Sequence, residues 1–269
     1  MSGFDFCGRA IIVTGGTRGI GAGVASAFLA SGARVLVCGR TQPSELPAAD
    51  GVAADFVAAD VRDPDQARLL IDVAVDLYGR LDVVINNAGG APPADAATVS
   101  PRFHAKVIEL NLTAPLHVSQ AANAVMQARD GGSIIMIGSV SGDRPSPGTA
   151  AYGAAKAGLA HLAVSLAVEW APKVRVNTVV AGLVGTAESA AHYGGDAAMA
   201  AAAATVPLGR MAVPQDVANA CLFLASPMAG QVSGASLLVH GGGERPPFLA
   251  SPESGRAARM ANAWQTHDK

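Results

Sequence analysis

The sequence is poor in charged residues and has no excess of either sign. Asp, Glu, Lys and Arg make up 15% of the 269 residues, against about 25% in an average soluble protein. With 19 basic and 21 acidic residues the net charge is −2, so the chain has no basic field to hold nucleic acid. This composition excludes a disordered chain and argues against a nucleic-acid partner.

Further absences concern cysteine, histidine and long apolar runs. Cys7, Cys38 and Cys221 are widely spaced and form no CxxC pair, so neither a disulfide framework nor a zinc site is expected. The six histidines are scattered, and no metal site is predicted. We expect no membrane-spanning segment, because a span needs a run of about 18 apolar residues. The N-terminus lacks the charged and then apolar segments of a signal peptide. We expect a cytoplasmic protein with free, buried thiols.

What the chain does contain is an alternation of apolar runs and helical segments. Seven runs predict strands, at residues 10–14, 34–38, 55–60, 81–85, 133–138, 174–180 and 236–239. Helices are predicted at residues 19–31, 64–78, 102–126, 151–170 and 214–224. This order is typical of a single-domain, Rossmann-like α/β fold, a doubly wound parallel sheet of about seven strands with helices on both faces. We assign this domain to residues 1–243, with an ambiguous Ala-rich segment at 186–206 and a tail at 244–269.

The first predicted strand ends in the glycine-rich loop Thr14-Gly15-Gly16-Thr17-Arg18-Gly19-Ile20-Gly21. A tight turn, close approach of the backbone to a phosphate and a helix N-terminus facing that phosphate all favour glycine. Because the cluster lies between a strand and a helix, it predicts a dinucleotide site rather than an ordinary turn.

The end of the second predicted strand indicates which dinucleotide binds. An NAD site usually has a carboxylate there for the ribose 2′-hydroxyl, but this sequence has Arg40. Arg40 is placed to pair with a 2′-phosphate, and Arg18 of the glycine loop lies near the same ribose. The pattern favours NADP(H). The alternative is NAD(H), with both arginines as solvated surface groups.

Tyr152 and Lys156 lie four residues apart on one face of a predicted helix. A free tyrosine has a pKa of about 10, and a nearby cation lowers it towards a useful range for a general base. Ser139 follows an apolar strand 13 residues upstream of Tyr152. At the carboxyl edge of a parallel sheet, its hydroxyl is placed to hydrogen-bond a substrate carbonyl.

Together these residues resemble the short-chain dehydrogenase/reductase family. The resemblance extends to Asp60-Val61, Asn86-Asn87-Ala88-Gly89, Asn111, Asn177, Gly182 and Thr186, and to later stretches at 207–210, 214–218 and 223–226. The matches span residues 9–243 in the order and spacing of the family. Two positions depart from the family pattern, since Ala181 replaces a proline and His240 an aspartate.

The resemblance implies a role for each matching residue. Tyr152 would protonate the carbonyl oxygen during reduction, Lys156 would lower the pKa of Tyr152, and Ser139 would orient the carbonyl. Asn111 would hold a water that links Lys156 to solvent; its alternative is a residue that merely bends a helix. The cofactor contacts expected from the loop and the resemblance are Gly15, Thr17, Arg18, Gly19, Ile20, Gly21, Arg40, Asp60, Val61, Asn87, Ala88, Gly89, Tyr152, Lys156, Val184 and Thr186.

The substrate is less well defined. We expect a pocket formed by the segments after Ser139 and Gly182, with contacts from Ser141, Arg144, His192 and Tyr193. Arg144 would meet an anionic group, the alternative being an exposed loop charge. The candidate substrates are a 3-oxoacyl thioester, a steroid ketone, and a small cyclic ketone or polyol.

The resemblance also implies a homotetramer or a homodimer. The helix at 151–170 is apolar on nearly every side, so we expect one face to pack on the sheet and the other on a second subunit. Most of the tail is expected to be disordered, unless Phe248 and Trp264 anchor it on a neighbouring subunit.

Two rival functions remain at this point. A non-catalytic NADP(H)-sensing protein would tend to lose the Ser, Tyr or Lys retained here. An epimerase or dehydratase would usually carry a longer C-terminal domain. The sequence therefore favours a carbonyl/alcohol oxidoreductase.

Overall fold

A computed structural model describes residues 4–187, 189 and 194–246 of the chain. Its strands are β1 (Ala10–Thr14), β2 (Arg34–Gly39), β3 (Ala48–Ala49), β4 (Val52–Ala53), β5 (Asp55–Ala58), β6 (Val83–Asn86), β7 (Gly132–Ser139), β8 (Val174–Ala181) and β9 (Ser236–Val239). Seven of them form one sheet in the order β5-β2-β1-β6-β7-β8-β9, and every neighbouring pair is parallel. The predicted doubly wound α/β fold is confirmed.

The helices alternate with these strands. They are α1 (Gly19–Leu29), α2 (Pro64–Tyr78), α3 (Pro101–Ile108), α4 (Ala114–Gln127), α5 (Ala150–Glu169), α6 (Asp196–Thr205) and α7 (Pro214–Ala225). Local chemistry sets the bounds of α2, which match the prediction. Asp63 caps its N-terminus by accepting from the backbone N–H groups of Asp65 and Gln66, and Gly79 ends it in the left-handed conformation with φ 72°.

Two apolar clusters cover the two faces of the sheet. One contains Val24 and Phe28 of α1 with Val217 of α7, and α1 packs directly against α7. The other joins α2, α4 and α5 through residues such as Leu70 and Leu159. Because both faces are covered, β1 is buried along its whole length, as expected of a central parallel strand.

Helix α5 is long and apolar enough to cross a membrane by length and composition alone, which was not predicted from the sequence. Its position in the fold is that of a core helix. It packs on β7 and β8, and Leu159, Ala163 and Leu166 of its inner face are buried. The opposite face leaves Val168 77% exposed and Val164 43% exposed.

Three local features differ from the sequence-based expectations. The short strands β3 and β4 form an antiparallel hairpin that was not predicted, and the ambiguous Ala-rich segment contains α6. Cys38 and Cys221 are free and buried as expected, but Cys7 is exposed. Its position in a turn before β1 leaves it outside the core.

Candidate active site

A cavity of about 1230 Å³ opens at the carboxyl edge of the sheet. It lies where the strand order reverses, because the chain runs outward from β1 through β2 to β5 and then returns to β6 on the other side. Open α/β sheets bind ligands at such a position. All sixteen cofactor contacts expected from the sequence line this cavity, as do Ser139, Ser141 and Arg144.

The glycine loop is held tightly against the end of β6. Gly15 and Gly19 adopt positive φ angles of 60° and 53°, which favour glycine. Asn87 Nδ2 donates to the carbonyl oxygens of Thr14 and Gly15, both at 3.0 Å. A Cβ at Gly21 would lie 2.4 Å from both Asn87 Nδ2 and the Gly15 oxygen. The loop therefore brings the backbone and the N-terminus of α1 to the cavity wall.

Arg18, Arg40, Asp60 and Arg62 lie at the end of the cavity next to β2 and β5. Arg62 forms a salt bridge with Asp60, and its hydrogen bond is the main cause that lowers the pKa of this carboxyl. Arg62 was not predicted from the sequence. Its position two residues after Asp60 was the available signal, because a turn at the end of a strand can direct both side chains towards one site.

Ser139, Tyr152 and Lys156 form the opposite end of the cavity. Ser139 is the last residue of β7, opposite Ala181 in the register with β8. Tyr152 lies in the first turn of α5, and Lys156 follows one turn later. The Lys156 side chain is 4% exposed. Its Nζ donates to the Ile137 carbonyl at 2.8 Å and lies 5.7 Å from the centroid of the Tyr152 ring.

Burial is the largest influence on the pKa values of Tyr152 and Lys156. It lowers the pKa of Lys156 to about 8 and raises the pKa of Tyr152 above its usual value, while a hydrogen bond with Ser139 acts in the lowering direction. Removal from water disfavours the charged form of each group. At neutral pH the phenol of Tyr152 therefore carries its proton.

Asn111 lies behind the cavity wall rather than on it. It belongs to a π-helical turn, Glu109–Thr113, that divides the single helix predicted at 102–126 into α3 and α4. Its Oδ1 accepts from the Gly90 N–H at 2.8 Å, and its Nδ2 donates to the carbonyls of Gly90 and Val107, both at 2.9 Å. These bonds hold the Asn111 side chain in place. The helix predicted at 102–126 is confirmed as helical backbone from Pro101 to Gln127, with a π-helical turn that was not predicted.

Gly89 allows Asn111 and Lys156 to approach each other. A Cβ on Gly89 would lie 2.7 Å from Asn111 Oδ1 and 3.3 Å from Lys156 Nζ. The backbone after β6 thus passes between the buried amide and the buried ammonium group.

The expected substrate residues fall into two groups. Ser141 and Arg144 line the cavity, and Arg144 Nη2 pairs with Glu244 Oε1 at 2.6 Å. His192 and Tyr193 lie outside the described residues, as do Phe248 and Trp264 of the tail. Within the described ranges, no group of three or more His, Cys, Asp or Glu side chains could hold a metal ion.

Comparison with known proteins assigns the chain to a family. A family profile described as enoyl-(acyl carrier protein) reductase, of the short-chain dehydrogenase/reductase type, matches residues 15–244. The chain belongs to the short-chain dehydrogenase/reductase family. Members of this family use NAD(P)(H) as cofactor.

Several characterised and uncharacterised relatives cover most of this short-chain dehydrogenase/reductase. An uncharacterized oxidoreductase of Mycobacterium tuberculosis is 37% identical, with 87% of this chain and 91% of the relative aligned. A 3alpha-hydroxysteroid dehydrogenase of Mediterraneibacter gnavus is 35% identical, with 87% of this chain and 96% of the relative aligned. The 3-oxoacyl-[acyl-carrier-protein] reductase FabG of Vibrio cholerae is 33% identical over 87% and 97%.

Solved structures of the family superimpose closely. A short-chain type dehydrogenase/reductase from Mycobacterium ulcerans matches with a TM-score of 0.83 and 31% identity, over 93% of this chain and 95% of that one. A 7 alpha-hydroxysteroid dehydrogenase in complex with NADH and 7-oxo glycochenodeoxycholic acid matches with a TM-score of 0.81 and 29% identity, over 90% and 96%.

The cavity of this short-chain dehydrogenase/reductase fits a dinucleotide. The glycine loop leaves no space for a Cβ at Gly21, so the backbone itself forms the wall where a phosphate would approach. The guanidinium groups of Arg18 and Arg40 at one end supply positive charge. The residues present therefore suit a large, anionic cofactor.

Proposed function

We propose that this protein interconverts a ketone and a secondary alcohol, with Tyr152 as the general acid/base. The observation that carries the proposal is the grouping of Ser139, Tyr152 and Lys156 at one end of a cavity that the glycine loop also lines. A donor for the carbonyl oxygen and a dinucleotide cradle thus share one cavity.

A bound nicotinamide cofactor would supply the hydride chemistry, and the residues of this chain control the carbonyl oxygen and its proton. Ser139 Oγ donates a hydrogen bond that orients the carbonyl. The Tyr152 hydroxyl gives its proton to the oxygen as the alcohol forms, which suits a phenol whose pKa is raised by burial. The Lys156 ammonium, whose Nζ lies 5.7 Å from the centroid of the Tyr152 ring, stabilises the resulting phenolate. Asn111 holds the backbone behind Lys156 through Gly90.

We propose NADP(H) as the preferred cofactor, because Arg18 and Arg40 line the cavity where an NAD site would need a carboxylate. In this scheme the other expected cofactor contacts face different parts of the cofactor. Asp60 and Val61 would face adenine, Asn87, Ala88 and Gly89 the adenosine ribose, and Val184 and Thr186 the carboxamide. NAD(H) is the alternative, since the similar 7 alpha-hydroxysteroid dehydrogenase was solved with NADH. The ratio of KM values for NADPH and NADH decides between them.

For the substrate we propose a steroid-like or cyclic ketone, or a 3-oxoacyl thioester. Relatives named as hydroxysteroid dehydrogenases support the first class. The relative FabG supports the second. Ser141 and Arg144 are the described side chains that we expect to contact it.

We also propose a homotetramer or homodimer located in the cytoplasm. The exposed Val164 and Val168 on the outer face of α5 support an apolar interface there. The proposed domain covers residues 1–243, with 244–269 as a tail.

The experiment that tests the activity follows NADPH or NADH absorbance with a panel of steroid, small-ring and thioester ketones. We expect oxidation of the cofactor with one class, and a loss of kcat of about 10²–10⁴ in Tyr152→Phe, the range for removal of a general acid. Near-normal turnover by Tyr152→Phe would refute the mechanism. Tight cofactor binding with no turnover of any ketone would favour the rival function of a non-catalytic NADP(H)-sensing protein.

A further inference from the structure

Three guanidinium groups lie at the end of the cavity that is beside β2 and β5. Arg18, Arg40 and Arg62 all line it, and Asp60 is the one carboxylate among the described residues that line the cavity. The partner with which the Asp60 carboxylate pairs therefore decides which of the three guanidinium groups remain available to a ligand.

Arg62 binds Asp60 with both its backbone and its side chain. The Arg62 N–H donates to Asp60 Oδ1 at 3.1 Å, and Arg62 Nε donates to Oδ1 at 2.9 Å and to Oδ2 at 3.2 Å. Arg62 Nη2 also contacts Oδ2. Charge-assisted contacts of this kind are stronger than neutral hydrogen bonds and fix the plane of both groups.

Arg40 is the next cation within electrostatic reach of the same carboxylate. It acts on Asp60 through space, yet in the part of the chain that the structure describes it has no salt bridge, and neither its guanidinium group nor that of Arg18 has a hydrogen-bond partner. Arg62 thus satisfies Asp60 and leaves two guanidinium groups uncompensated. Without Arg62, an ionised Asp60 would attract Arg40 and repel a neighbouring anion.

We propose that Arg62 determines nucleotide specificity by holding Asp60 away from Arg40, which keeps Arg40 free to bind a ribose 2′-phosphate. This inference rests on the proposed use of NADP(H). Arg62 is a positioning residue in this scheme, because it acts on the phosphate through Asp60 and Arg40.

The test measures Kd for NADP⁺ and for NAD⁺ by calorimetry in the wild type, Arg62→Met, Asp60→Asn and the double variant. We expect Arg62→Met to lower the ratio Kd(NAD⁺)/Kd(NADP⁺) about tenfold, since a phosphate carries close to two charges and an exposed Asp60 would oppose them. Asp60→Asn in the Arg62→Met background should restore the ratio. Any contact of Asp60 with adenine is common to both nucleotides and cancels in the ratio.

Two controls separate this effect from a structural one. Arg68→Met removes the same charge from an exposed position on α2 outside the cavity, and should leave the ratio unchanged. The decrease caused by Arg62→Met should shrink at 1 M salt, where the screening length is about 3 Å. A structural role would instead weaken both nucleotides equally.

An unchanged ratio in Arg62→Met, an equal loss for both nucleotides, or no restoration by Asp60→Asn would overturn the role of Arg62. The wild-type ratio reports separately on the proposed cofactor preference. A wild type that binds NAD⁺ more tightly refutes that preference, and the response of the ratio to Arg62→Met still decides the role of Arg62.

Discussion

At the scale of single residues, Lys156 combines a buried position with a charge. Its Nζ has the Ile137 carbonyl as hydrogen-bond partner, and no carboxylate among the described residues pairs with it. Burial of an ammonium group without a counter-ion costs stability, because the charged form loses its hydration. The fold therefore accepts a local destabilisation at the residue on which the proposed chemistry depends.

This leads to a prediction about pH and stability. The pKa of Lys156 is about 8 in the folded protein, against a usual value of 10.5. Between these values the unfolded chain holds the extra proton, so the free energy of unfolding of the wild type rises with pH; below pH 8 both states are protonated and this contribution is constant. Relative to Lys156→Met, we expect the wild type to gain about 3 kcal/mol across this window. Urea unfolding at several pH values measures it, and parallel pH curves for the two proteins would contradict it.

Residue-level features could be predicted where the residues involved are close in the sequence, and not where they are far apart in it. Tyr152, Lys156 and Ser139 could be predicted to lie at one site because their spacing matches a family pattern, and the glycine loop because strand, turn and helix are contiguous. The pairing of Arg144 with Glu244 was not found, since the two residues are 100 positions apart. The net effect of burial on the pKa of Tyr152 also depends on packing that the sequence does not reveal.

At the scale of secondary-structure elements, the segment after β9 connects two walls of the cavity. Glu244 pairs with Arg144 of the loop after β7, and the Arg245 N–H donates to the Thr205 carbonyl at the end of α6 at 2.8 Å. The Leu208 N–H donates to the Gly241 carbonyl at 3.1 Å. This short segment thus joins the loop that carries Ser141 to the end of the Ala-rich helix.

The Arg144–Glu244 pair gives a second prediction. Glu244→Gln removes the anion with which a substrate carboxylate or phosphate would compete for Arg144, so we expect a lower KM for ketones that carry such a group and no change for neutral ketones. The unfolding temperature should hardly change, because a solvent-exposed pair contributes about 0–1 kcal/mol.

Asp143→Asn is the matched control for this prediction. It removes the same charge from the loop that carries Arg144, at an exposed position that does not line the cavity. An equal fall of KM in both variants would show a general charge effect instead of a contact with Arg144.

The elements themselves were predicted well where local signals are strong. All seven strands of the main sheet were expected, and α2 has the predicted bounds because Asp63, Pro64 and Gly79 define them locally. The π-helical turn was not expected. Asn111 of this turn hydrogen-bonds to Gly90, 21 residues away, and sequence periodicity does not detect such a contact.

At the scale of the whole molecule, the outer face of α5 is the apolar surface that bears on assembly. Val168→Lys places a charge on a side chain that is 77% exposed in the single chain. If this face packs on a second subunit, we expect the variant to sediment as a smaller species than the wild type.

Val52→Lys is the control for this prediction. It makes the same substitution at an exposed valine of β4, away from α5, and should leave the mass unchanged. Dissociation of both variants, or of neither, would place the interface elsewhere.

The strand order has a further consequence, for the way in which such a protein can change over generations. The cavity residues that we assign to the nucleotide's adenosine part follow β1, β2, β5 and β6, all within the first 90 positions, whereas Ser139, Tyr152 and Lys156 come from β7 and α5. In the proposed scheme, one stretch of the gene therefore encodes the choice of coenzyme and another encodes the chemistry. Mutations or recombination can therefore alter the substrate-binding part while the coenzyme-binding part is inherited unchanged. The same fold can then acquire new substrates and keep the same hydride donor.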